Sequence, residues 1–357
     1  MERLIALITM VFVICGVLSG CNTWMAGDYL SVTPHEPYQD VAGDTVVEVT
    51  SYPQLCNALS EMVRNYTESG IISITSFSNA TVDYYVNTAI DFVVNSTAFG
   101  AYAVDKITYE IGTKRGASVV AFDINYCHSR SEILGMQNVR NKDEMITAIT
   151  SAMNDNEVYL ALHTENYEAI DFVQLVQEYT SENPDIVMEL PKVGAFVYPE
   201  RGEERIVELI FTYQTERDAL RDMQKRVAEV FTSADLYVKE TTQVKDIYSR
   251  LFSFLMERDD YTIETSITPA YSLLQHGVGD SRAFANVYAA MCRRADLDCS
   301  VISGTRDAKP WCWNLVRYRG KYYHVDLLRC SETDEFVMCL DAEMTGYVWD
   351  YSAYPAS

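Results

Sequence analysis

Positively charged side chains are scarce in this sequence, and that scarcity limits the partners it can bind. The 28 Lys and Arg residues are outnumbered by 51 Asp and Glu, so the formal net charge is -23 at pH 7. The negative charge is spread along the chain and is not gathered in a tail. Because phosphate binding draws on clustered Lys and Arg, we expect no nucleic-acid partner. A neutral or cationic partner fits the charge better, although solubility alone is the simpler explanation.

Compact catalytic and metal-binding signatures are missing from the first two thirds of the chain. This part has no Gly-rich phosphate loop, no HExxH motif and no Ser/His/Asp spacing. His128 and His163 lack a second ligand at helical or hairpin spacing, so we predict structural or surface roles for both. The cysteines of the chain have no paired CxxC arrangement either. We therefore predict no metal site and no other cofactor.

Long apolar runs are absent after the amino-terminal segment, so the sequence predicts no membrane-spanning helix in the rest of the chain. Residues 4–18 are nearly all apolar and follow a short polar start. This pattern is typical of a signal peptide and is too short to favour a membrane span. The run ends in Leu18-Ser19-Gly20-Cys21, which resembles the lipobox of bacterial lipoproteins, where the cysteine becomes lipidated.

These features predict the location of the protein. We predict a lipoprotein signal peptide over residues 1–20, and a lipidated Cys21 with a polar tether over residues 21–45. The mature chain would then be anchored by lipid to the cell membrane and face outside. The alternative is an ordinary secretory signal with a chance cysteine at position 21.

Seven of the nine cysteines lie beyond the lipobox, so they cannot all pair with one another. Export permits disulfides, and the first pairs to consider are Cys292 with Cys299 and Cys330 with Cys339. Small thiols buried in a core are the alternative. The sequence leaves the pairing open.

An internal repeat follows the tether. Amphipathic helical patterns near residues 53 and 143 are each followed by a short apolar strand, a second helix and two strands around a turn. Lys106 and Lys192 occupy matching places 86 residues apart. The other matched pairs, at that spacing or one residue beyond it, are Arg115 with Arg201, Gly116 with Gly202, Tyr126 with Tyr213, Arg130 with Arg217, Met136 with Met223 and Gln137 with Gln224. We predict two duplicated small α/β sandwich modules, residues 46–140 and 141–234, with helices covering one face of each sheet.

From about residue 236 the pattern changes to helices followed by strands. One apolar stripe runs along residues 242–258, and a second helix begins after Asp280 or Ser281, either of which can cap it. Strand-like segments follow at residues 299–305, 311–318 and 321–328, and a tight turn at Arg319-Gly320 joins the last two. We predict a helix-plus-antiparallel-sheet domain over residues 235–357, which makes the whole chain α+β.

This order of elements resembles the core of the transglutaminase-like superfamily, whose fold is papain-related. The family's motifs are G-V-C opening a helix, H-A-W-N on one strand and Y-x-V-D on the next. The features that carry the resemblance lie within residues 240–330 and are Gly277, Val278, Ala283, Ala285, Trp313, Asn314, Tyr323, Val325 and Asp326. The resemblance implies a cysteine position at Gly279, a histidine position at Trp311 and a carboxylate position at Asp326.

Two of these three positions carry no catalytic group. Glycine has no nucleophile, and an indole N–H donates a hydrogen bond but accepts no proton. The possible replacements are Ser281 and Cys312 as nucleophiles, and His276 and His324 as bases. We predict instead that Ser281 caps the helix and Cys312 faces away from Trp311. His324 would then hydrogen-bond within the fold or support Asp326.

Trp311 and Trp313 are predicted to point to the same face of their strand, because side chains alternate along a strand. Together with Asp280 and Asp326 they are candidates to bind an extended peptide or a glycan. The alternative is that Trp311 fills the space left by the missing histidine and packs in the core.

These observations predict a surface-anchored lipoprotein. Its non-catalytic transglutaminase-like domain would bind or scaffold a peptide, a protein or a cell-wall polymer. Two alternatives remain open: a peptidase or transamidase of the same fold that uses replacement residues, and a purely structural spacer.

Overall fold

A computed structural model describes residues 47–77, 79–114, 117–257, 260–261 and 268–357. The predicted signal peptide (residues 1–20) and Cys21 with its tether (residues 21–45) lie outside these residues. Arg115 and Gly116 of the predicted repeat also lie outside them. Among the described helices, none is both long enough and apolar enough to cross a bilayer.

The first unit is a four-stranded sheet whose helices share one apolar core with it. Its elements are β1 (Val47–Val49), α1 (Tyr52–Arg64), β2 (Ser69–Ile74), α2 (Asn79–Ser96), α3 (Ala98–Ala103), β3 (Val104–Lys114) and β4 (Ala117–Tyr126). The strand order is β1-β2-β4-β3, with β1 parallel to β2 and the other pairs antiparallel. In α1, Leu55, Leu59 and Val63 recur every four residues, so they lie on one face and are buried.

The second unit has the same arrangement of strands. Its elements are α4 (Arg130–Leu134), β5 (Gln137–Asn138), α5 (Lys142–Asn154), β6 (Tyr159–Thr164), α6 (Phe172–Glu182), β7 (Lys192–Tyr198) and β8 (Arg205–Thr212). The strand order is β5-β6-β8-β7, again with the first pair parallel and the others antiparallel. The helices and strands that the sequence pattern predicts are therefore present in the predicted order.

The two units meet at Tyr102 in α3, which is 1% exposed. Its hydroxyl shares a 2.5 Å hydrogen bond with the hydroxyl of Tyr159 on β6. Ala161 and Ile206 of the second sheet are buried in the same core as the helices of the first unit. Burial, and then the hydrogen bond to Tyr159, raise the pKa of Tyr102 well above its ordinary value. The junction is therefore a packed apolar contact that contains neutral tyrosines.

His128 and His163 both make contacts within the fold near this junction. The ring of His128 stacks on Tyr102 with the centroids 4.0 Å apart. His163 lies between Asn138, 2.8 Å from its Nδ1, and Glu204, 2.9 Å from its Nε2. These contacts fit the structural roles that the sequence predicts for both histidines.

The third unit begins with two helices and ends in a sheet. Its elements are α7 (Arg217–Val238), α8 (Val244–Met256), β9 (Asp260–Tyr261), α9 (Pro269–His276), β10 (Val278–Gly279), α10 (Ser281–Arg294), β11 (Cys299–Arg306), β12 (Lys309–Tyr318), β13 (Lys321–Val325), α11 (Leu327–Thr333), a 3-10 turn (Asp341–Glu343) and β14 (Tyr347–Trp349). The sheet is antiparallel, in the order β13-β12-β11-β14. α10 packs on one face of this sheet, and a smaller cluster around Trp313 lies on the other face.

The predicted boundary after residue 234 falls inside a helix. α7 runs without interruption from Arg217 to Val238, and its apolar stripe packs with α8, α9 and α10. The members of that stripe are Leu220, Met223, Val227, Phe231, Ala234 and Val238. The core of the third unit therefore begins with α7, about eighteen residues earlier than the sequence pattern suggested. The chain as a whole is a mixed α+β protein.

Candidate functional site

The start of α10 lies against strand β12. Asp280 adopts an extended backbone conformation, and its carboxylate accepts a 2.8 Å hydrogen bond from the backbone N–H of Ala283. Asp280 is therefore the helix cap, and Ser281 is the first helical residue. The Ser281 hydroxyl is not used for capping, because it accepts a 3.1 Å hydrogen bond from the backbone N–H of Cys312 on β12.

The structure changes the expectation for Gly279. A Cβ atom at this position would lie 3.0 Å from the Cβ of Ala283 and 3.2 Å from the Cβ of Leu273. A side chain there would thus meet α9 and α10 first. The side chain at this helix start that contacts β12 is that of Ser281, two residues after Gly279.

Trp311 contacts Asp326 directly. The indole Nε1–H of Trp311 donates a 2.9 Å hydrogen bond to the Oδ2 of Asp326. Trp311 is partly buried, and it packs against the apolar clusters on both faces of the sheet. The hydrogen bond that a histidine would give to this carboxylate is therefore made by an indole, which has no lone pair with which to accept a proton.

Asp326 is 5% exposed and accepts hydrogen bonds from several other groups. As the cap of α11 it receives the backbone N–H of Leu328 at 3.1 Å and of Arg329 at 3.3 Å. Tyr347 donates its hydroxyl at 2.5 Å, and a guanidinium nitrogen of Arg306 lies 3.4 Å away. Burial, and then the charge of Asp326, raise the pKa of Tyr347 well above its ordinary value, so this hydroxyl stays a donor.

Arg306 closes the site from the solvent side. Its guanidinium lies 5.3 Å from the ring centre of Trp311 and 5.8 Å from that of Tyr347. It also pairs with Glu332 at 2.9 Å. Burial would lower the pKa of Arg306, but Glu332, Tyr347 and Asp326 raise it overall, so the group remains a cation. Sequence reasoning missed Arg306 and Tyr347, because they lie outside the three family motifs and only the β11–β14 pairing brings them to Asp326.

Trp313 and His324 form a buried chain of hydrogen bonds on the far face of the sheet. The Nε1–H of Trp313 donates to the Nδ1 of His324 at 2.9 Å, and the Nε2 of His324 lies 2.8 Å from Asp341. Ser357 in turn donates its hydroxyl to Asp341 at 2.6 Å. Because the Nδ1 of His324 accepts the hydrogen bond from Trp313, the proton of neutral His324 is on Nε2. His324 therefore bonds within the fold and not to Asp326.

Trp313 is too deeply buried to contact a ligand. It points to the same face as Trp311, as predicted, but it is 1% exposed and belongs to the small core cluster with Leu315, Tyr347 and Trp349. The recess between α10 and β12 is filled and leaves no room for a water molecule among the described side chains. That recess is lined by Ser281, Phe284, Ala285, Cys312, Trp313, Asn314, Asp326, Leu327 and Leu328.

The remaining candidates lie apart from one another. Cys312 is buried, and its thiol lies 3.6 Å from the hydroxyl of Ser303 on β11. His276 is exposed at the end of α9, and its ring lies 6.3 Å from that of Tyr271. Among the described residues, no histidine or carboxylate is hydrogen-bonded to the Ser281 hydroxyl.

Neither candidate cysteine pair forms a disulfide. The seven described cysteines are free thiols, and six of them are buried. Cys330 contacts the backbone of Val337, and burial raises its pKa to about 11. These are small apolar core residues, which was the alternative that the sequence left open. In the part of the chain that the structure describes, no three His, Cys, Asp or Glu side chains converge in a way that could hold a metal ion.

The buried His324 predicts a pH dependence of stability. Burial lowers its pKa below the ordinary 6.5, and the bond to Asp341 offsets this only in part. As the pH falls through about 6.5, the unfolded chain takes up a proton on this residue before the folded chain does, so the folded state loses stability. We expect the free energy of unfolding to fall from about pH 7 to about pH 5 more steeply in the wild type than in His324→Gln.

Urea denaturation at a series of pH values measures this difference. His276→Gln, which removes an exposed histidine, is the matched control and should keep the wild-type slope. Equal slopes for the wild type and His324→Gln would contradict the assignment of His324 as a buried neutral group.

The comparisons with known proteins agree with this architecture. Residues 231–327 match the family model described as Transglut_core, the Transglutaminase-like superfamily. The resemblance that the sequence motifs predicted is thereby confirmed, and the matched range includes Ser281, Trp311 and Asp326. No curated protein matches the chain.

Solved structures with partial similarity include a TGase that is 10% identical, with a TM-score of 0.27, covering 54% of this chain and 59% of that one. A candidate cysteine protease from Cytophaga hutchinsonii is 12% identical, with a TM-score of 0.27, covering 44% and 70%. A candidate protease from Parabacteroides distasonis is 9% identical, with a TM-score of 0.24, covering 72% and 40%. This chain therefore spans less than two thirds of the length of the TGase.

Proposed function

We propose that the transglutaminase-like segment over residues 231–327 is the core of a non-catalytic scaffold in a surface-anchored lipoprotein. The family match supports the fold of this segment. The lipid anchor at Cys21 and the outward-facing location rest on the sequence of residues 1–21. The scaffold would hold or display a binding surface outside the membrane, without carrying out acyl transfer.

The observation that carries the proposal is the hydrogen bond from Trp311 to Asp326. Acyl transfer by this fold needs a base that takes a proton from the nucleophile and is oriented by the carboxylate. Here the carboxylate of Asp326 accepts hydrogen bonds from an indole N–H, a tyrosine hydroxyl, an arginine and two backbone N–H groups. The Ser281 hydroxyl lies beside this group, and its described partner is a backbone N–H. A serine without a base is a poor nucleophile at neutral pH.

A structural spacer is a second candidate, and the filled recess favours it over binding in the former substrate groove. Trp313 is core, Asp280 is used as a helix cap, and Trp311 is partly covered by Arg306. These residues could line a ligand-binding surface only if the recess between α10 and β12 opened. We therefore place any binding function of this unit on another surface.

We further propose that the first two units arose by duplication and act as the rigid part of the scaffold. Their identical strand orders, each with one parallel pair, support this proposal. The Tyr102 junction supports rigidity, because it buries aromatic side chains between the units. The modules of this proposal are the first two units described above, and they exclude residues 217–234, which pack with the third unit.

Electrophilic probes test the proposal. The lipid-free chain, residues 22–357, is treated with a fluorophosphonate and with iodoacetamide, and labelled residues are located by mass spectrometry. We expect no labelling of Ser281 and no fold-dependent labelling of Cys312, because the first lacks a base and the second is buried. The urea-unfolded chain, in which the thiols become accessible, shows that the thiol reagent works.

Fold-dependent labelling of Ser281 would contradict the proposal. Labelling of Ser281 that requires the folded state and disappears in Ser281→Ala would establish a hydrolase or transamidase with replacement residues. The Cys312→Ser variant separates labelling at that thiol from labelling at Ser281.

A further inference from the structure

One short hairpin carries a charge opposite to that of the rest of the chain. Residues 317–324 read RYRGKYYH and contain three cations, three tyrosines and no carboxylate. The chain as a whole has a net charge of -23, with 28 cationic and 51 acidic side chains. The hairpin is therefore a local basic and aromatic surface on an acidic protein. We refer to Arg317, Tyr318, Arg319, Lys321 and Tyr322 as the basic hairpin.

The turn presents these cations to solvent. Arg319 and Gly320 have φ values of 50° and 80°, a pair of left-handed residues typical of a two-residue hairpin turn. Arg317, Arg319 and Lys321 are all exposed. A Cβ atom on Gly320 would meet nothing within 4 Å, so the tip projects from the surface.

The three cations are unpaired within the part of the chain that the structure describes. No described carboxylate lies within ion-pair distance of Arg317, Arg319 or Lys321, whereas Arg294 and Arg306 each contact two acidic side chains. The backbone N–H of Arg317 donates to the carbonyl of Asp298, an exposed residue on the neighbouring segment. The positive charge of the tip is therefore free to act on an external partner.

Aromatic rings support the two arginines. The guanidinium of Arg319 lies 5.1 Å from the ring centre of Tyr318, and that of Arg317 lies 5.9 Å from the ring centre of Tyr322. Such stacking restrains the guanidinium groups while leaving their N–H donors outward. Tyrosines beside exposed cations combine an apolar ring with a polar tip, which suits the boundary between water and lipid.

The basic hairpin is separate from the Trp311 site. Tyr318 follows Trp311 by seven residue steps of extended strand, which corresponds to about 23 Å. Variants of the hairpin therefore leave the Asp326 hydrogen bonds in place.

We propose that the basic hairpin binds the anionic phospholipid headgroups of the membrane to which the chain is attached. The inference rests on the proposed lipid anchor, because the anchor would bring the hairpin to a membrane surface. The rest of the chain is acidic and is repelled by an anionic surface, so attraction is confined to the tip within a Debye length of about 8 Å. The contact would orient the scaffold relative to the membrane.

A lipid surface fits these residues better than a soluble polyanion does. The net charge of -23 opposes a soluble polyanion and an anionic membrane alike, so the charge does not separate these two partners. The two tyrosines contribute at a lipid interface through their rings, whereas free phosphates need only the cations. The sequence alone favoured a neutral or cationic partner, and this surface departs from that expectation.

Vesicle binding tests the proposal with the lipid-free chain, residues 22–357. We expect sedimentation with vesicles of phosphatidylglycerol and phosphatidylcholine but not with phosphatidylcholine alone, and weaker binding as salt is added. The triple variant Arg317→Gln, Arg319→Gln, Lys321→Gln should lose on the order of a hundredfold in affinity. The triple variant Arg221→Gln, Lys225→Gln, Arg226→Gln removes the same charge from exposed positions of α7 and should bind like the wild type.

Two further results decide between partners. Tyr318→Ser with Tyr322→Ser leaves the charge unchanged and should weaken vesicle binding while leaving any binding of polyphosphate unaltered. The proposal is overturned if the wild type does not bind anionic vesicles, if both charge variants lose affinity equally, or if polyphosphate binds through the hairpin while vesicles do not. The experiment does not involve Cys21, so a negative result leaves the proposed lipid anchor standing.

Discussion

Replacing Asp326 by alanine is expected to lower the free energy of unfolding by about 3–5 kcal/mol. The substitution removes the shared acceptor of Trp311, Tyr347 and the start of α11, and it removes the buried partner of Arg306. Buried donors left without an acceptor lose their hydrogen bonds without regaining water. Urea denaturation followed by tryptophan fluorescence measures the loss.

Asp326→Asn is the matched control for this variant. Asparagine has nearly the same shape and keeps one acceptor oxygen, so we expect a smaller loss, about 1–3 kcal/mol. If Asp326→Ala stays within about 0.5 kcal/mol of the wild type, Asp326 is not a structural acceptor. The scaffold interpretation of this site would then be untenable.

The second large effect is expected at Trp313. Trp313→Ala should cost about 3–5 kcal/mol, because it removes a fully buried aromatic side chain from the cluster with Leu315, Tyr347 and Trp349. It also leaves the Nδ1 of His324 without its donor. Chemical denaturation measures the loss, and circular dichroism shows whether the fold is retained.

Trp313→Phe separates the two contributions. Phenylalanine keeps most of the apolar contact but cannot donate to His324, so its loss should be about 1–3 kcal/mol. A near-neutral Trp313→Ala would mean that this side chain is not core, and it would restore Trp313 as a ligand candidate.

The outline of the fold could be predicted from the sequence because it depends on local patterns. Leu55, Leu59 and Val63 are spaced for one helix face, and the turn at Arg319-Gly320 was correctly placed between two strands. The order helix, strand, helix, strand, strand in the first two units was also predicted correctly, but the strands β1 and β5 and the short helices α3 and α4 were not predicted. Periodicity and turn chemistry act over a few residues, so they can be read without knowledge of distant contacts.

The boundary of the third unit could not be predicted in the same way. The amphipathic stripe of α7 shows that the helix has a buried face, but it does not show which core that face joins. The structure places Val227 and Phe231 with α8 and α10, so the helix belongs to the third unit.

The site shows the same division between local and distant information. Sequence motifs located the α10 start, the β12 strand and Asp326, and the family match confirms the region. The side chain that faces β12 depends on how the chain enters α10, and there Asp280 caps the helix while Ser281 points at Cys312. That Ser281, two residues after Gly279, contacts β12 depends on how α10 packs against the sheet, which the sequence does not show.

The sequence by itself determined the acidic composition, the order of the elements, the transglutaminase-like core and the absence of a histidine at Trp311. Only the tertiary structure decided that Asp326 is occupied by Trp311, Tyr347 and Arg306, that Trp313 is buried, and that the hairpin cations are unpaired among the described residues. The physical reason is that burial and hydrogen-bond partners depend on contacts between residues far apart in the chain. Residue type and spacing, in contrast, are local properties.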